Sequence, residues 1–282
     1  MKIIRDIPEM GHVSCKWKRD AMTVALVPTM GALHAGHLAL VQTAKAHADR
    51  VVMSIFVNPA QFGPREDLDR YPRDLERDAD LARSAGIDCI YAPDPTDMYP
   101  PDFQTWIRVE RVSQGLCGTS RPGHFQGVAT VVAKLFNIVQ PDFAVFGEKD
   151  YQQLLVIRRM VSDLHIPVRI LSHPIVREPD GLAMSSRNQY LSDKERLSAA
   201  SLFRSLTEAQ HLFSSGERSA KRITEAVTNQ ILSHPYTTID YIFLGDPNDL
   251  KPKDPLNDPS LLAVAAWVGK TRLIDNIILR LP

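Results

Sequence analysis

The 282-residue chain has few cysteines, no excess of either charge and no long apolar run. Each shortage removes a class of function. Cys15, Cys89 and Cys117 are widely spaced and odd in number, which suits reduced thiols in a cytoplasmic protein better than a disulfide framework or a zinc site. Lys plus Arg and Asp plus Glu each total 33, so no net basic face for nucleic acid is expected, while a local basic pocket for a phosphate ligand stays open. The longest nearly uncharged stretch, Leu261 to Gly269, is too short to span a bilayer, and no membrane partner is expected. The opening Met1-Lys2-Ile3-Ile4-Arg5-Asp6 is charged too early to read as a signal peptide. Internal repeats and low-complexity segments are absent. What remains is ordinary globular usage, 44% apolar and 23% charged, at a length for one large domain or a medium and a small one.

Short β-branched runs, at Thr23–Pro28, Val51–Val57, Asp88–Ala92, Phe143–Phe146 and Val168–Leu171, alternate with segments of helical period. Leu38 to Asp49 and Tyr151 to Leu164 are the clearest of those helices. Near-continuous apolar strands separated by helices predict a parallel sheet covered on both faces. Residues 1–176 therefore read as a doubly wound, Rossmann-like α/β domain. From 177 to 282 the pattern is α+β: Ser192 caps a helix, a second helix covers Ser219 to Leu232, and strands follow at Ile239–Leu244, Leu261–Trp267 and Thr271–Ile274. Gly269-Lys270 between the last two predicts a tight hairpin. Between Arg65 and Asp78, ten of fourteen residues are charged. That stretch reads as a solvated loop leading into an exposed helix, or as a flap punctuated by Gly63-Pro64 and Tyr71-Pro72.

Four segments carry candidate chemistry. Met30-Gly31-Ala32-Leu33-His34-Ala35-Gly36-His37 follows the first strand and opens a helix, whose unpaired N–H groups and dipole favour phosphate. Gly31 and Gly36 permit close backbone approach, and His34 and His37, three apart, can face one anion and steady charge developing on it. Gly147-Glu148-Lys149-Asp150 follows another strand, with Lys149 and Gln153 on one helix face. Met184-Ser185-Ser186-Arg187 offers two hydroxyls and a guanidinium as a grip for phosphates. Asn58 and Gln61 add polar side chains after the second strand. All four lie just past the carboxyl ends of strands, the edge where open parallel sheets bind ligands.

The pair His34-Ala35-Gly36-His37 and Met184-Ser185-Ser186-Arg187 resembles the signatures of the nucleotidylyl transferase superfamily. The fuller set is more specific. Phe56-Val57-Asn58-Pro59-Ala60-Gln61-Phe62-Gly63, Tyr71-Pro72-Arg73, Arg121-Pro122-Gly123-His124-Phe125, Phe146-Gly147-Glu148-Lys149-Asp150-Tyr151-Gln152-Gln153, Asp180-Gly181-Leu182-Ala183-Met184-Ser185-Ser186-Arg187-Asn188 and Thr271-Arg272-Leu273-Ile274-Asp275-Asn276 join Pro28 to His34 in one order. Together they resemble the pantoate–β-alanine ligase family. Gln126 departs from it, standing where many members carry arginine.

The resemblance implies a two-step ligation in which ATP and (R)-pantoate give pantoyl adenylate and pyrophosphate, and β-alanine then gives pantothenate and AMP. It implies that Met30 to His37, Gly147 to Asp150, Val176 and Met184 to Arg187 line the ATP site, with His37 as proton donor. His34, His37, Lys149 and Arg187, with Mg2+, would stabilise charge on the phosphates. Gln61 and Gln153 would hold pantoate, with Asn58 beside them and Gln61 also near β-alanine. Asp78 matches an aspartate near magnesium. A C-terminal lid domain, a homodimer and a cytoplasmic location are implied as well. Three rivals make different predictions: another nucleotidylyl transferase such as a cytidylyltransferase, a tRNA-charging enzyme, which would need a basic anticodon domain, and a non-catalytic adenine-nucleotide sensor.

Overall fold

Val24–Thr29 is apolar at nearly every position because both faces of that strand are covered, as a central parallel strand requires. In the computed structural model, which describes residues 1–64 and 66–281, it is one of six parallel strands. The first compact unit, Met1–Glu148 with Gln152–Pro174, runs β1 (Lys2–Ile4), α1 (Ile7–Arg19), β2 (Val24–Thr29), α2 (Ala35–Lys45), β3 (Arg50–Ile55), α3 (Leu75–Ser84) and β4 (Cys89–Tyr91). It continues through two single turns, α4 (Pro95–Met98) and α5 (Cys117–Ser120), to α6 (His124–Val139), β5 (Phe143–Gly147), α7 (Tyr151–Asp163) and β6 (Arg169–His173). The sheet order is β1-β4-β3-β2-β5-β6. From β2 the chain builds outward through β3 and β4, then crosses to β5 and β6. The switch point lies between β2 and β5, where such sheets open a crevice for ligands.

The five expected strands are present to within two residues at each end. Elements β1, α1 and α6 and the single turns α4 and α5 have no counterpart among the expected ones. Helix α6 buries twelve of its sixteen residues, including Val128, Val131, Val132, Leu135 and Phe136. Only Gln126, Lys134, Asn137 and Ile138 keep any exposure, so the polar strip that would mark it as a surface helix is narrow. The charged stretch forms a 3-10 turn at Leu68–Arg70 and then α3, capped by Asp74, which accepts from the Arg77 N–H. It is not wholly solvated, since Tyr71 and Asp78 are buried. Arg65 lies outside the described residues.

The second unit comprises Lys149–Tyr151 and the chain from Ile175 onward. It contains α8 (Asp193–Ala199), α9 (Ser201–Ser214), α10 (Ala220–Leu232), β7 (Thr237–Gly245), β8 (Ser260–Val268) and β9 (Thr271–Leu279). The three strands pair antiparallel in the order β7-β8-β9. The apolar faces of α9 and α10 bury Leu206, Phe213, Ile223, Val227 and Ile231 in one cluster with Leu262, Val264 and Ala266 of β8. Ser192 and Glu195 form a reciprocal capping box at the start of α8. Val268 pairs with Thr271 across Gly269-Lys270, the hairpin that the glycine implied, with Gly269 at φ +57°.

Candidate active site

At the carboxyl end of β2 the chain makes a sharp left-handed turn, with Gly31 at φ +83° and Ala32 at φ +50°. Asp78, on α3 and only 1% exposed, clamps that turn. The N–H groups of Ala32 and Leu33 donate to its two carboxylate oxygens, each at 2.8 Å. A Cβ on Gly31 would lie 2.9 Å from the same carboxylate, so both the torsion and the space call for glycine there. Burial pushes the Asp78 carboxyl above its ordinary value, against the pull of the two N–H donors.

The turn delivers His34 to the N-cap of α2. Its Nδ1 accepts from the Gly36 N–H at 3.1 Å, which places the ring proton on Nε2 and leaves the imidazole neutral. His37, in the first turn of the helix, lies beside it with ring centroids 4.1 Å apart and the ring planes tilted by 32°. Both rings are half-buried. The expected pairing of the two histidines at one helix mouth is therefore realised, at the β2/β5 switch point.

After β3, Asn58 caps a single 3-10 turn, Pro59–Gln61. Its side-chain amide donates to Gln61 Oε1 and to the Gly127 carbonyl, both at 3.1 Å. The Gln61 amide reaches Met30 Sδ at 3.1 Å. Met30, Asn58 and Gln61 are thus brought together, and the turn is packed tightly against α6. A Cβ on Gly127 would lie 2.3 Å from the Ala60 carbonyl oxygen. In α7 the two neighbouring glutamines have different jobs. Gln152 is buried, accepts from the Cys117 N–H and donates to the Val112 carbonyl, which fixes the loop before α6, while Gln153 is half-buried. Glu148 accepts from the Ser172 hydroxyl at 2.8 Å, tying the end of β5 to β6.

Lys149, Asp150, Val176 and Met184 to Arg187 belong to the second unit. There the chain folds back on itself through an Arg177–Ala183 bridge, with Gly181 at φ +89° in the bend. The Met184 N–H donates to the Val176 carbonyl at 2.9 Å. Ser185 then caps the 3-10 turn Ser186–Tyr190, its hydroxyl accepting from the Arg187 N–H. Strand β9 braces both candidate pieces. Asp275, 2% exposed, takes the Arg177 guanidinium on both oxygens at 2.7 and 3.0 Å. Burial pushes the Asp275 carboxyl up and the guanidinium fork pulls it down. Next in sequence, Asn276 donates to the Lys149 carbonyl at 3.0 Å. Lys149 Nζ lies 3.9 Å from the Asp150 carboxylate.

Residue-by-residue reading assigned no role to Arg121, His124, Arg177, Asp275 or Asn276, although four of the five lie within signature strings. Their contacts span dozens of residues along the chain, which no local spacing encodes.

Residues 2–278 match the family described as pantoate-beta-alanine ligase. The chain is 52% identical over 279 residues to the pantothenate synthetase of Moorella thermoacetica, with 99% of each sequence covered. The crystal structure of pantothenate synthetase from Thermus thermophilus superposes with a TM-score of 0.93 at 45% identity, covering 99% of this chain and 100% of that one. Pantoate-beta-alanine ligase from Francisella tularensis, solved with beta-gamma ATP and beta-alanine, superposes with a TM-score of 0.80 at 33% identity, covering 99% and 97%. A likeness of that extent, over 99% of the chain, places it in the pantoate–β-alanine ligase family.

Proposed function

We propose that the protein condenses (R)-pantoate with β-alanine at the expense of ATP, through pantoyl adenylate. The observation that carries this reading is the pair of adjacent imidazoles, His34 and His37, at the α2 N-terminus beside the β2/β5 switch point. In the first step a pantoate carboxylate oxygen attacks the α-phosphorus, and the bond to the β-phosphate breaks to release pyrophosphate. A carboxylate is already a nucleophile, so this step needs alignment and charge stabilisation rather than a general base. His34, neutral with its proton on Nε2, has an N–H donor suited to a phosphate oxygen. The helix N-terminus supplies further positive potential. Lys149 and Arg187 are the cations assigned to the departing pyrophosphate, and Met184, Ser185, Ser186, Val176 and Gly147 to Asp150 the nucleotide contacts. His37 is assigned the proton to the leaving group.

Gln61, Gln153 and Asn58 are assigned to pantoate, whose two hydroxyls and carboxylate suit amide donors and acceptors. In the second step the β-alanine amine attacks the acyl carbon, loses a proton, and AMP leaves.

The same reading takes Mg2+ with the nucleotide. Among the described residues no three His, Cys, Asp or Glu side chains are grouped to hold a metal. That fits an ion carried mainly by substrate phosphates rather than by a protein cage. Asp78, with both oxygens on backbone N–H groups, is assigned to shaping the turn. A homodimer in the cytoplasm completes the reading, supported by family membership. The three cysteines are thiols, which suits a reducing compartment.

ATP–pyrophosphate exchange with Mg2+ and no amine tests the first step. Exchange that requires (R)-pantoate, and that lactate or amino acids do not support, is the expected result. ATP binding without exchange for any acid would overturn it.

A further inference from the structure

Arg121 and His124, in the Arg121-Pro122-Gly123-His124-Phe125 string that opens α6, converge on one atom. His124 Nδ1 lies 2.8 Å from the main-chain carbonyl oxygen of Gln61, and Arg121 Nη2 donates to that oxygen at 3.3 Å. Arg121 Nη1 also sits 3.2 Å from His124 Nε2. A guanidinium can only donate, so His124 Nε2 is the acceptor, its proton is on Nδ1, and that proton points at Gln61. The two side chains thus form a chain of donors ending on a single carbonyl. Glu66 holds the far side of Arg121, accepting from Nε at 2.9 Å and from Nη2.

Across the same short turn, Gln61 is fixed at its other end. Its side-chain oxygen accepts from Asn58 and its amide meets Met30 Sδ. The carbonyl and the side chain of one residue are therefore gripped from two sides. The residue so gripped is the one the proposed function assigns to pantoate. A three-residue turn has little cooperativity of its own, so its rotation is set by these external partners.

We propose that Arg121 and His124 are positioning residues for the carboxylic acid substrate: by holding the Gln61 carbonyl they aim the Gln61 amide, with Glu66 anchoring Arg121. The inference rests on the assignment of Gln61 to pantoate. It predicts a selective effect, because neither residue need touch substrate.

The experiment compares the full-length protein with Gln61→Ala, Arg121→Met, His124→Phe, His124→Asn and the double variant Gln61→Ala/Arg121→Met. Thermal melts accompany each, and only variants that retain a cooperative transition are compared. Arg121→Met and His124→Phe are expected to raise the pantoate KM by about tenfold or more, the scale for a side chain moved by a fraction of an ångström, with the ATP KM within about twofold. His124→Asn, which restores an N–H donor near the Nδ1 position, is expected to recover most of that loss. In the double variant the Arg121 change should add little to the Gln61 effect, since both act through one side chain.

A pantoate KM unmoved by Gln61→Ala would overturn the assignment of Gln61, and this inference with it. A Gln61→Ala effect without an Arg121 or His124 effect would overturn the inference alone. So would equal rises in both KM values, or fully multiplicative effects in the double variant. Should His124→Phe fail to fold, the contrast between His124→Asn and Arg121→Met decides.

Discussion

Asp78→Asn separates two jobs a buried carboxylate could do, shaping a turn or binding magnesium. In the structure its two oxygens take the Ala32 and Leu33 N–H groups at 2.8 Å each. Asparagine offers one acceptor and one donor in the same space, so one backbone N–H would face an NH2 group and lose its partner. Leaving a buried N–H unsatisfied costs about 1–3 kcal/mol, and turning the surviving bond from charge-assisted to neutral costs about 1 kcal/mol more. Relief of the buried charge works the other way, since burial disfavours the ionised form. The net expectation is about 2 kcal/mol, which for a unit of this size lowers the melting midpoint by roughly 4–8 °C. The assay is a thermal melt of the full-length protein at neutral pH, alongside ATP–pyrophosphate exchange across a magnesium titration. The magnesium concentration giving half-maximal exchange should not change, while the exchange rate falls as the turn before His34 loosens. An unchanged midpoint with a several-fold higher magnesium requirement would refute the turn-clamp account and make Asp78 a metal ligand.

Gly127→Ala should raise the pantoate KM by about tenfold and destabilise by about 1–3 kcal/mol, because its Cβ would drive into the Ala60 carbonyl on the Gln61 turn; steady-state kinetics and urea unfolding check both. Asn276→Ala removes the hydrogen bond to the Lys149 carbonyl and should lower kcat about five- to tenfold, the worth of roughly 1 kcal/mol, with the pantoate KM unchanged. A rise in the pantoate KM without loss of kcat would count against a role through Lys149. Asp246, hydrogen-bonded by Lys253 and by the Asn248 N–H, has its carboxyl held down to about 2 from an ordinary 3.8. A depressed folded value means that its contribution is complete above the unfolded value and is lost as pH falls from about 3.8 through about 2. In Asp246→Asn the neutral-pH melting midpoint, followed by circular dichroism, should fall because that contribution is gone, while stability at a pH of about 2 and below should change little.

Much of this was legible along the chain because it is local. Ser192 with Glu195, Gly269-Lys270, and His34 with His37 each act on residues no more than three or four away, so the string itself carries the geometry. Apolar runs alternating with helical segments likewise exposed β2 to β6 and the sheet's carboxyl edge. What stayed hidden is of two kinds. Helix α6 buries twelve of its sixteen residues and leaves only a narrow polar strip, so it does not read as an ordinary surface helix. The contacts of Arg121 with Glu66 and of Asn276 with Lys149 join residues 55 and 127 positions apart, and they follow only once topology is known. Asp78 shows the same limit. The sequence marks it as one acid among many in a charged run, and only burial against the Ala32 turn shows what it holds.

The membership of Lys149–Tyr151 in the second unit has an evolutionary reading. These three residues are encoded amid the first unit, yet Asn276, 127 positions further along, holds the Lys149 carbonyl. The second unit is therefore not a contiguous cassette. A recombinant joined between two relatives near residue 175 would take its lysine from one parent and its asparagine from the other. Because the acceptor is a main-chain carbonyl, the bond constrains residue 276 and not the side chain at 149, so exchange of the C-terminal part keeps it wherever the incoming parent carries an amide at 276.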